Sequence, residues 1–117
     1  MEESPLRLVK RKIEFISKER LNELPSALRG IYVLYCERRG RKGNKPRYEV
    51  LYVGMATAGR RRGIRGRLAS HSRSKRKGEE WSHFSAFEVW DNIRHEERVE
   101  LEGLFRHITA GIPKLAA

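Results

Sequence analysis

Apolar, aromatic and β-branched residues concentrate in two short runs in the first half of the chain. Residues 30–35 (GIYVLY) and 49–54 (EVLYVG) have the composition that buried strands favour. Residues 37–47 between them contain two glycines, an asparagine and a proline, which are turn-forming residues. The pattern predicts an antiparallel β-hairpin.

Two further elements are predicted downstream of the hairpin. Residues 63–72 indicate a basic helix, although Gly63 and Gly66 would each weaken it by about 1 kcal/mol relative to alanine if interior. In an extended conformation, alternate residues of 81–91 point to opposite faces, and both of these alternating sets contain aromatic residues. That alternation predicts a third strand that is covered on part of each face.

A second helix is predicted near the end of the chain. Asp91 or Asn92 can cap it, and it should run to about Thr109. Its apolar positions recur at helical spacing: Leu101, Leu104, Phe105 and Ile108. The expected fold class is therefore α/β (α+β), a small three-stranded antiparallel sheet flanked by helices.

The N-terminal segment is harder to interpret. Residues 6–16 mix charged and apolar side chains without a clean period, so strand and helix both stay open. We expect residues 24–117 to form the functional domain and residues 1–23 to form an N-terminal extension. The sequence leaves both alternatives open for this extension, inside the core or outside it.

Basic residues outnumber acidic ones by a wide margin. The 117 residues include 26 Lys or Arg and 15 Asp or Glu, a formal net charge of +11. Half of the eighteen residues from 60 to 77 are Arg or Lys and none is acidic. Such a block attracts polyanions, most often nucleic acid. A solvated basic surface is the simpler alternative, and a membrane-surface helix would need a larger apolar face.

Several classes of protein are disfavoured by what the sequence lacks. The single cysteine, Cys36, excludes an internal disulfide and a multi-cysteine zinc site. No apolar run has membrane-spanning length, and the N-terminus lacks the apolar core of a signal peptide. We expect a cytoplasmic protein with no membrane partner.

Three short motifs follow one another in a recognisable order. Gly30-Ile31-Tyr32 precedes Tyr52-Val53-Gly54, and Arg67-Leu68 comes next, with His71 four residues after the arginine. This succession resembles the GIY-YIG endonuclease superfamily over residues 24–115. The resemblance implies a small nuclease domain that hydrolyses DNA phosphodiester bonds with a divalent metal, Mg²⁺ or Mn²⁺.

The resemblance also implies a role for each motif residue. Tyr32 stands at the family's first tyrosine, which activates or positions the attacking water. Tyr52 stands at the second, which organises water and phosphate. Arg67 matches the arginine that binds the scissile phosphate, and His71 matches a position that assists proton transfer.

A helix glutamate is implied as the metal ligand. Glu102, followed by Gly103 and an apolar pair, resembles the family's glutamate. Glu97 competes with it, because it falls nearer the centre of the apolar stripe, where a carboxylate needs a partner or a metal. Glu96 and Glu100 lie on the same predicted helix.

Spacing alone supports part of this assignment. Arg67 and His71, at i and i+4, share a helix face, whereas Arg65 cannot share that face with Arg67. Tyr32 and Tyr52 lie on facing strands. Without the motif, they would more often be core aromatics with satisfied hydroxyls.

The predicted function is a metal-dependent endonuclease with low intrinsic sequence specificity, because contacts to phosphates carry little sequence information. Specificity would come from DNA structure or from a protein partner. The expected nucleic-acid-binding residues are Arg60, Arg61, Arg62, Arg65, Arg73, Lys75, Arg76, Lys77, Arg41 and Lys42.

Two departures from the family pattern keep alternatives open. Met55 stands where the family often has a lysine or another polar residue, and no asparagine follows Pro113. The alternative is a catalytically degenerate nucleic-acid-binding module on the same fold. A basic domain that docks on an acidic protein or on ribosomal RNA would fit the charge but leave the motif unexplained. Metal dependence distinguishes the endonuclease from both.

Overall fold

A computed structural model describes residues 1–3, 9–38, 45–56, 63–73 and 81–90. In these residues the elements are β1 (Glu2–Glu3), β2 (Val9–Ser17), a 3₁₀ helix (Lys18–Glu23), β3 (Gly30–Arg38), β4 (Arg47–Ala56), α1 (Gly63–Arg73) and β5 (His83–Val89). The strands form one sheet in the order β1-β2-β5-β3-β4, and every neighbouring pair is antiparallel.

The predicted three-stranded sheet flanked by helices is wrong. The described part of the chain forms a five-stranded sheet with one short α-helix, α1. The additional strands, β1 and β2, come from the N-terminal segment. Strand β2 could not be predicted from sequence because the side chains of β2 do not alternate regularly. Its pairing with β5 shifts register twice, and Phe15 has a φ of 52°. The predicted second helix lies outside the described residues.

The predicted hairpin is confirmed. Strands β3 and β4 pair from Gly30 opposite Ala56 to Arg38 opposite Arg47. The predicted helix and third strand correspond to α1 and β5, with bounds within two residues of those expected. No helix in the described ranges is both long enough and apolar enough to cross a membrane.

Alternation along β3 divides the buried residues between two faces of the sheet. One cluster includes the buried residues of α1 and contains Leu24, Leu28, Tyr32, Leu34, Ala56, Ile64, Leu68, Trp81, Phe84 and Ala86. The second cluster contains Val9, Ile31, Val33, Tyr35, Val50, Phe87 and Val89. Ile64 and Leu68 anchor α1, since both are fully buried and each stabilises the fold by about 1.5–3 kcal/mol.

The start of α1 is fixed by the segment before β3. Leu28 forms a parallel bridge with Gly63, and the Ile64 N–H donates to the Leu28 carbonyl at 2.9 Å. Gly63 has a φ of 69°, and a Cβ there would lie 2.8 Å from the Leu28 backbone nitrogen. A glycine is therefore required at this position. This contact sets where the later residues of α1 lie against the sheet.

Candidate functional site

Three aromatic side chains from three different elements meet on the α1 side of the sheet. The Tyr32 hydroxyl of β3 lies 2.9 Å from Nε2 of His71 in α1. Tyr52 of β4 completes the group, with its ring centroid 4.9 Å from that of His71 and 5.9 Å from that of Tyr32. The structure thus brings together three of the predicted site residues.

Gly54 makes room for the Tyr32 ring. It lies opposite Tyr32 in the β3–β4 ladder, and a Cβ built on it would stand 2.5 Å from the Tyr32 hydroxyl oxygen. In the sequence, Gly54 stands out only as the last residue of the Tyr52-Val53-Gly54 motif. Its role was accessible from the alternation of β4, because positions two apart project to the same face and Gly54 is two residues after Tyr52.

Burial controls the protonation of Tyr32. The side chain is 1% exposed, and this burial raises the pKa of its phenol, with a further increase from the neighbouring Tyr52. The positive charge of Arg67 acts in the opposite direction but is the smaller effect. Tyr32 therefore keeps its proton at neutral pH. With a neutral imidazole protonated on Nδ1, the phenol donates and Nε2 of His71 accepts.

The two arginines of α1 nearest the site have different environments. Arg67 lies one helical turn before His71, and its charge acts on the Tyr32 phenol. Arg65 points elsewhere: its Nη1 donates to the Leu24 carbonyl at 3.3 Å. The two-residue spacing predicted this separation. We call Tyr32, Tyr52, Arg67 and His71 the tyrosine–histidine site.

A groove lies between α1 and the 3₁₀ helix. Its volume is about 590 Å³, and the described residues that line it are Leu21, Asn22, Arg65, Gly66, Ala69, Ser70 and Arg73. We call it the α1 groove. At 100° per residue, its centre lies roughly 150° around the helix from Arg67 and His71. It is a separate surface from the tyrosine–histidine site.

The described part of the chain offers no metal-binding cluster. No group of three His, Cys, Asp or Glu side chains in these ranges could hold an ion. The tyrosine–histidine site supplies phenols, an imidazole and a guanidinium but no carboxylate, and Mg²⁺ sites are usually built on carboxylate oxygens. These four residues alone do not fit a magnesium ion. The predicted ligand Glu102 and its competitor Glu97 lie outside the described residues.

Most of the predicted nucleic-acid-binding residues also lie outside the described residues. Of that set, Arg65 and Arg73 are described, and both line the α1 groove. The others fall in segments that the structure does not describe: Arg41, Lys42, Arg60, Arg61, Arg62, Lys75, Arg76 and Lys77.

The arrangement can move a proton between Tyr32 and His71 beside the positive charge of Arg67. Proton transfer and charge stabilisation are both functions that enzymes use to hydrolyse phosphate esters. Comparison of the chain with protein-family models, curated proteins and solved structures finds no match. The function is accordingly inferred from the site residues and their geometry.

Proposed function

We propose that the protein is a metal-dependent endonuclease of the GIY-YIG type that hydrolyses DNA phosphodiester bonds with low intrinsic sequence specificity. The observation that carries the proposal is the 2.9 Å contact between the Tyr32 hydroxyl and His71 Nε2. Tyr52 lies beside this contact, and the charge of Arg67 reaches it. Residues from two strands and a helix thus form one polar site.

Tyr32 and His71 would act as a proton relay in this mechanism. Because burial raises the pKa of Tyr32, a resting phenolate is disfavoured. The Tyr32 oxygen instead takes a proton from the attacking water while its own proton passes to His71 Nε2. General acid–base catalysis of this kind contributes about 10²–10⁴-fold to a rate.

Arg67 would stabilise the phosphate while the bonds change. The water oxygen forms a new bond to phosphorus, and negative charge gathers on the phosphoryl oxygens as the bond to the leaving sugar oxygen breaks. That oxygen keeps the electron pair of the broken bond and takes a proton from solvent water. A guanidinium offers two parallel hydrogen bonds to such oxygens. Tyr52 packs against the imidazole and helps to hold its orientation. A magnesium or manganese ion held by Glu102, or by its competitor Glu97, would supply further positive charge.

A catalytically degenerate nucleic-acid-binding module is the second candidate. The raised pKa of Tyr32 favours it, because a phenol that keeps its proton and donates to a histidine is also a common way to satisfy a buried tyrosine. The departures at Met55 and after Pro113 point in the same direction. The two candidates differ in whether the protein breaks a phosphodiester bond.

Nicking of supercoiled plasmid DNA tests the proposal. We expect nicking with Mg²⁺ or Mn²⁺ and none with a chelator, and a loss of about 10²–10³-fold in Arg67→Gln, which removes transition-state charge stabilisation. Arg20→Gln is the matched control, since it makes the same charge change on the exposed 3₁₀ helix. A greater loss in Glu102→Ala than in Glu97→Ala would assign the metal ligand.

Two kinds of result would contradict the proposed nuclease. DNA binding without nicking in either metal would favour the degenerate binding module. Nicking that persists in the chelator, or that Arg67→Gln leaves unchanged, would contradict the proposed mechanism.

A further inference from the structure

Phe15 of β2 is a large apolar side chain at the surface of the sheet, on the face opposite the tyrosine–histidine site. It is 47% exposed, and its ring lies against Tyr35 of the second cluster and against Tyr48, which packs on that cluster. The centroid distances are 4.8 Å to Tyr35 and 5.0 Å to Tyr48. Tyr48 also contacts the His83 ring at 4.9 Å. We call these four side chains the aromatic patch.

The backbone holds the Phe15 ring at the surface. Phe15 has a φ of 52°, a left-handed conformation that is unfavourable for a bulky residue. Its N–H donates to the hydroxyl of buried Ser85 at 3.0 Å, and the same hydroxyl accepts a hydrogen bond from Tyr35. The exposed ring is therefore positioned before any partner arrives, which lowers the entropy lost on binding.

Two carboxylates flank the aromatic patch. Glu14 precedes Phe15, and its negative charge adds to the effect of burial, the larger cause, in raising the pKa of the Tyr35 phenol. Glu37 is directly opposite Tyr48 in the β3–β4 ladder, so these two side chains share a face. Both glutamates are exposed. The patch thus combines aromatic faces with negative charge in a protein whose formal net charge is +11.

Other aromatic rings of this protein already have a cation over them. Lys10 Nζ lies 5.3 Å from the ring centroid of Trp90. Lys18 Nζ lies 4.8 Å from that of Trp81. Trp90 is as exposed as Phe15, at 47%, but within the described ranges no lysine or arginine lies over the Phe15 ring. A cation supplied by a partner can take that position.

Lys12 leaves most of the negative charge of the patch available. Its Nζ lies 3.5 Å from Oε2 of Glu14, and both side chains are partly exposed, so this is a weak surface ion pair. Glu37 has no ion pair within the part of the chain that the structure describes. A guanidinium suits such a surface better than an ammonium, because it is planar, stacks on a ring and donates two parallel hydrogen bonds to a carboxylate.

We propose that the aromatic patch binds an arginine side chain of a basic partner protein, with the guanidinium stacked on Phe15 and paired with Glu14 or Glu37. The net charge of the protein does not prevent this contact, since salt screens charges beyond about 8 Å under physiological conditions and the two carboxylates lie at the patch itself. The inference does not depend on the proposed nuclease. A partner bound on this face would not cover the tyrosine–histidine site.

Binding of a peptide of alternating arginine and glycine residues, followed by fluorescence anisotropy, tests this inference. The reference peptide carries citrulline in place of arginine, which keeps the planar shape and removes the charge. We expect the arginine peptide to bind more tightly, and Phe15→Ala to weaken its binding by about two- to fivefold. Glu14→Gln/Glu37→Gln should weaken it by up to about fivefold per glutamate. Binding of the citrulline peptide should be weak and equal in all variants.

Matched variants control for exposure, charge and folding. Trp90→Ala removes an equally exposed ring that already has Lys10 over it, and it should leave the affinity for the arginine peptide unchanged. Glu19→Gln/Glu23→Gln makes the same charge change as the glutamate variant on the 3₁₀ helix and should have a smaller effect. Phe15→Tyr keeps the ring and should bind as the wild type does. The glutamate variant decides the test if Phe15→Ala does not fold.

The other outcomes overturn the inference. Equal affinities for the arginine and citrulline peptides, or affinities that the patch variants leave unchanged, would mean that the patch binds no guanidinium. A loss in Phe15→Ala of affinity for single-stranded oligothymidylate, with peptide binding intact, would mean that the ring stacks on nucleobases. Self-association that Phe15→Ala abolishes would make a second copy of this chain the occupant. Peptide binding at the patch without plasmid nicking would leave the inference standing and refute only the nuclease.

Discussion

Replacing Gly54 with alanine should disrupt the site without changing any polar group. The added Cβ would stand 2.5 Å from the Tyr32 hydroxyl oxygen and 2.8 Å from Cε1, whereas ordinary contacts begin at 3.4 Å. The ring would have to move by about 1 Å to restore ordinary contact distances, because a densely packed interior has no gap that could accept the added Cβ. Ile64 and Leu68 are in the same cluster and fully buried, so the ring has little space to enter.

The expected loss of stability is about 2–4 kcal/mol. Overpacking of a buried site costs about 1–3 kcal/mol. Moving the Tyr32 hydroxyl by about 1 Å would break its 2.9 Å contact with His71, which removes about 0.5–1.5 kcal/mol more. Urea denaturation followed by tryptophan fluorescence measures the change, and cleavage activity should fall with it.

A double-mutant cycle separates this clash from a general intolerance of alanine. In a Tyr32→Leu background the ring atoms that meet the new Cβ are absent, so Gly54→Ala should be nearly neutral there. Gly66→Ala is the control for replacing a glycine, since Gly66 lies in the interior of α1 beside the open groove. It should raise the free energy of unfolding by as much as about 1 kcal/mol, because alanine has the higher helix propensity. An equal loss from Gly54→Ala in both backgrounds would refute the reasoning.

Two further predictions concern stability. Ser85→Ala should cost about 1–3 kcal/mol in urea denaturation, because buried Ser85 accepts hydrogen bonds from the Phe15 N–H and the Tyr35 hydroxyl. The control Ser82→Ala also removes two hydrogen bonds, with the Glu37 N–H and the His83 ring, but at a half-buried position near the sheet edge where water can replace them, so it should cost less; equal losses would contradict this account. Burial raises the pKa values of Tyr32 and Tyr35, so their contribution to stability should be complete below pH about 10 and decline above it, as the unfolded chain releases protons that the folded chain retains. Each tyrosine adds a slope of at most about 1.4 kcal/mol per pH unit, and Tyr32→Phe should reduce the decline measured by denaturation at alkaline pH.

The central hairpin and α1 were accessible from sequence because their signals are local. The apolar composition of β3 and β4 and the turn residues between them predicted the hairpin. The hairpin in turn placed Tyr32 and Tyr52 on facing strands. The i, i+4 spacing placed Arg67 and His71 on one helix face. The predicted residues Tyr32, Tyr52 and His71 accordingly meet in the structure.

The sheet's extent and the α1 groove depend on features that the sequence does not display. Two register shifts and the positive φ of Phe15 interrupt the alternation of β2, and β1 has only two residues. The groove exists because the 3₁₀ helix Lys18–Glu23 lies beside α1, although about 40 positions separate them in sequence. Such long-range packing has no local signature.

Single-turnover cleavage of duplex DNA by Tyr32→Phe, compared with Tyr35→Phe, tests the central claim most directly. Both substitutions remove one buried hydroxyl from β3, but Tyr35 lies on the opposite face of the sheet and donates to Ser85. We expect Tyr32→Phe to lower the rate by about 10²–10⁴-fold with DNA binding in a chelator unchanged, and Tyr35→Phe to stay near wild type when both are folded. A Tyr32→Phe rate equal to wild type, or equal losses in the two variants, would contradict a catalytic role for the Tyr32–His71 pair.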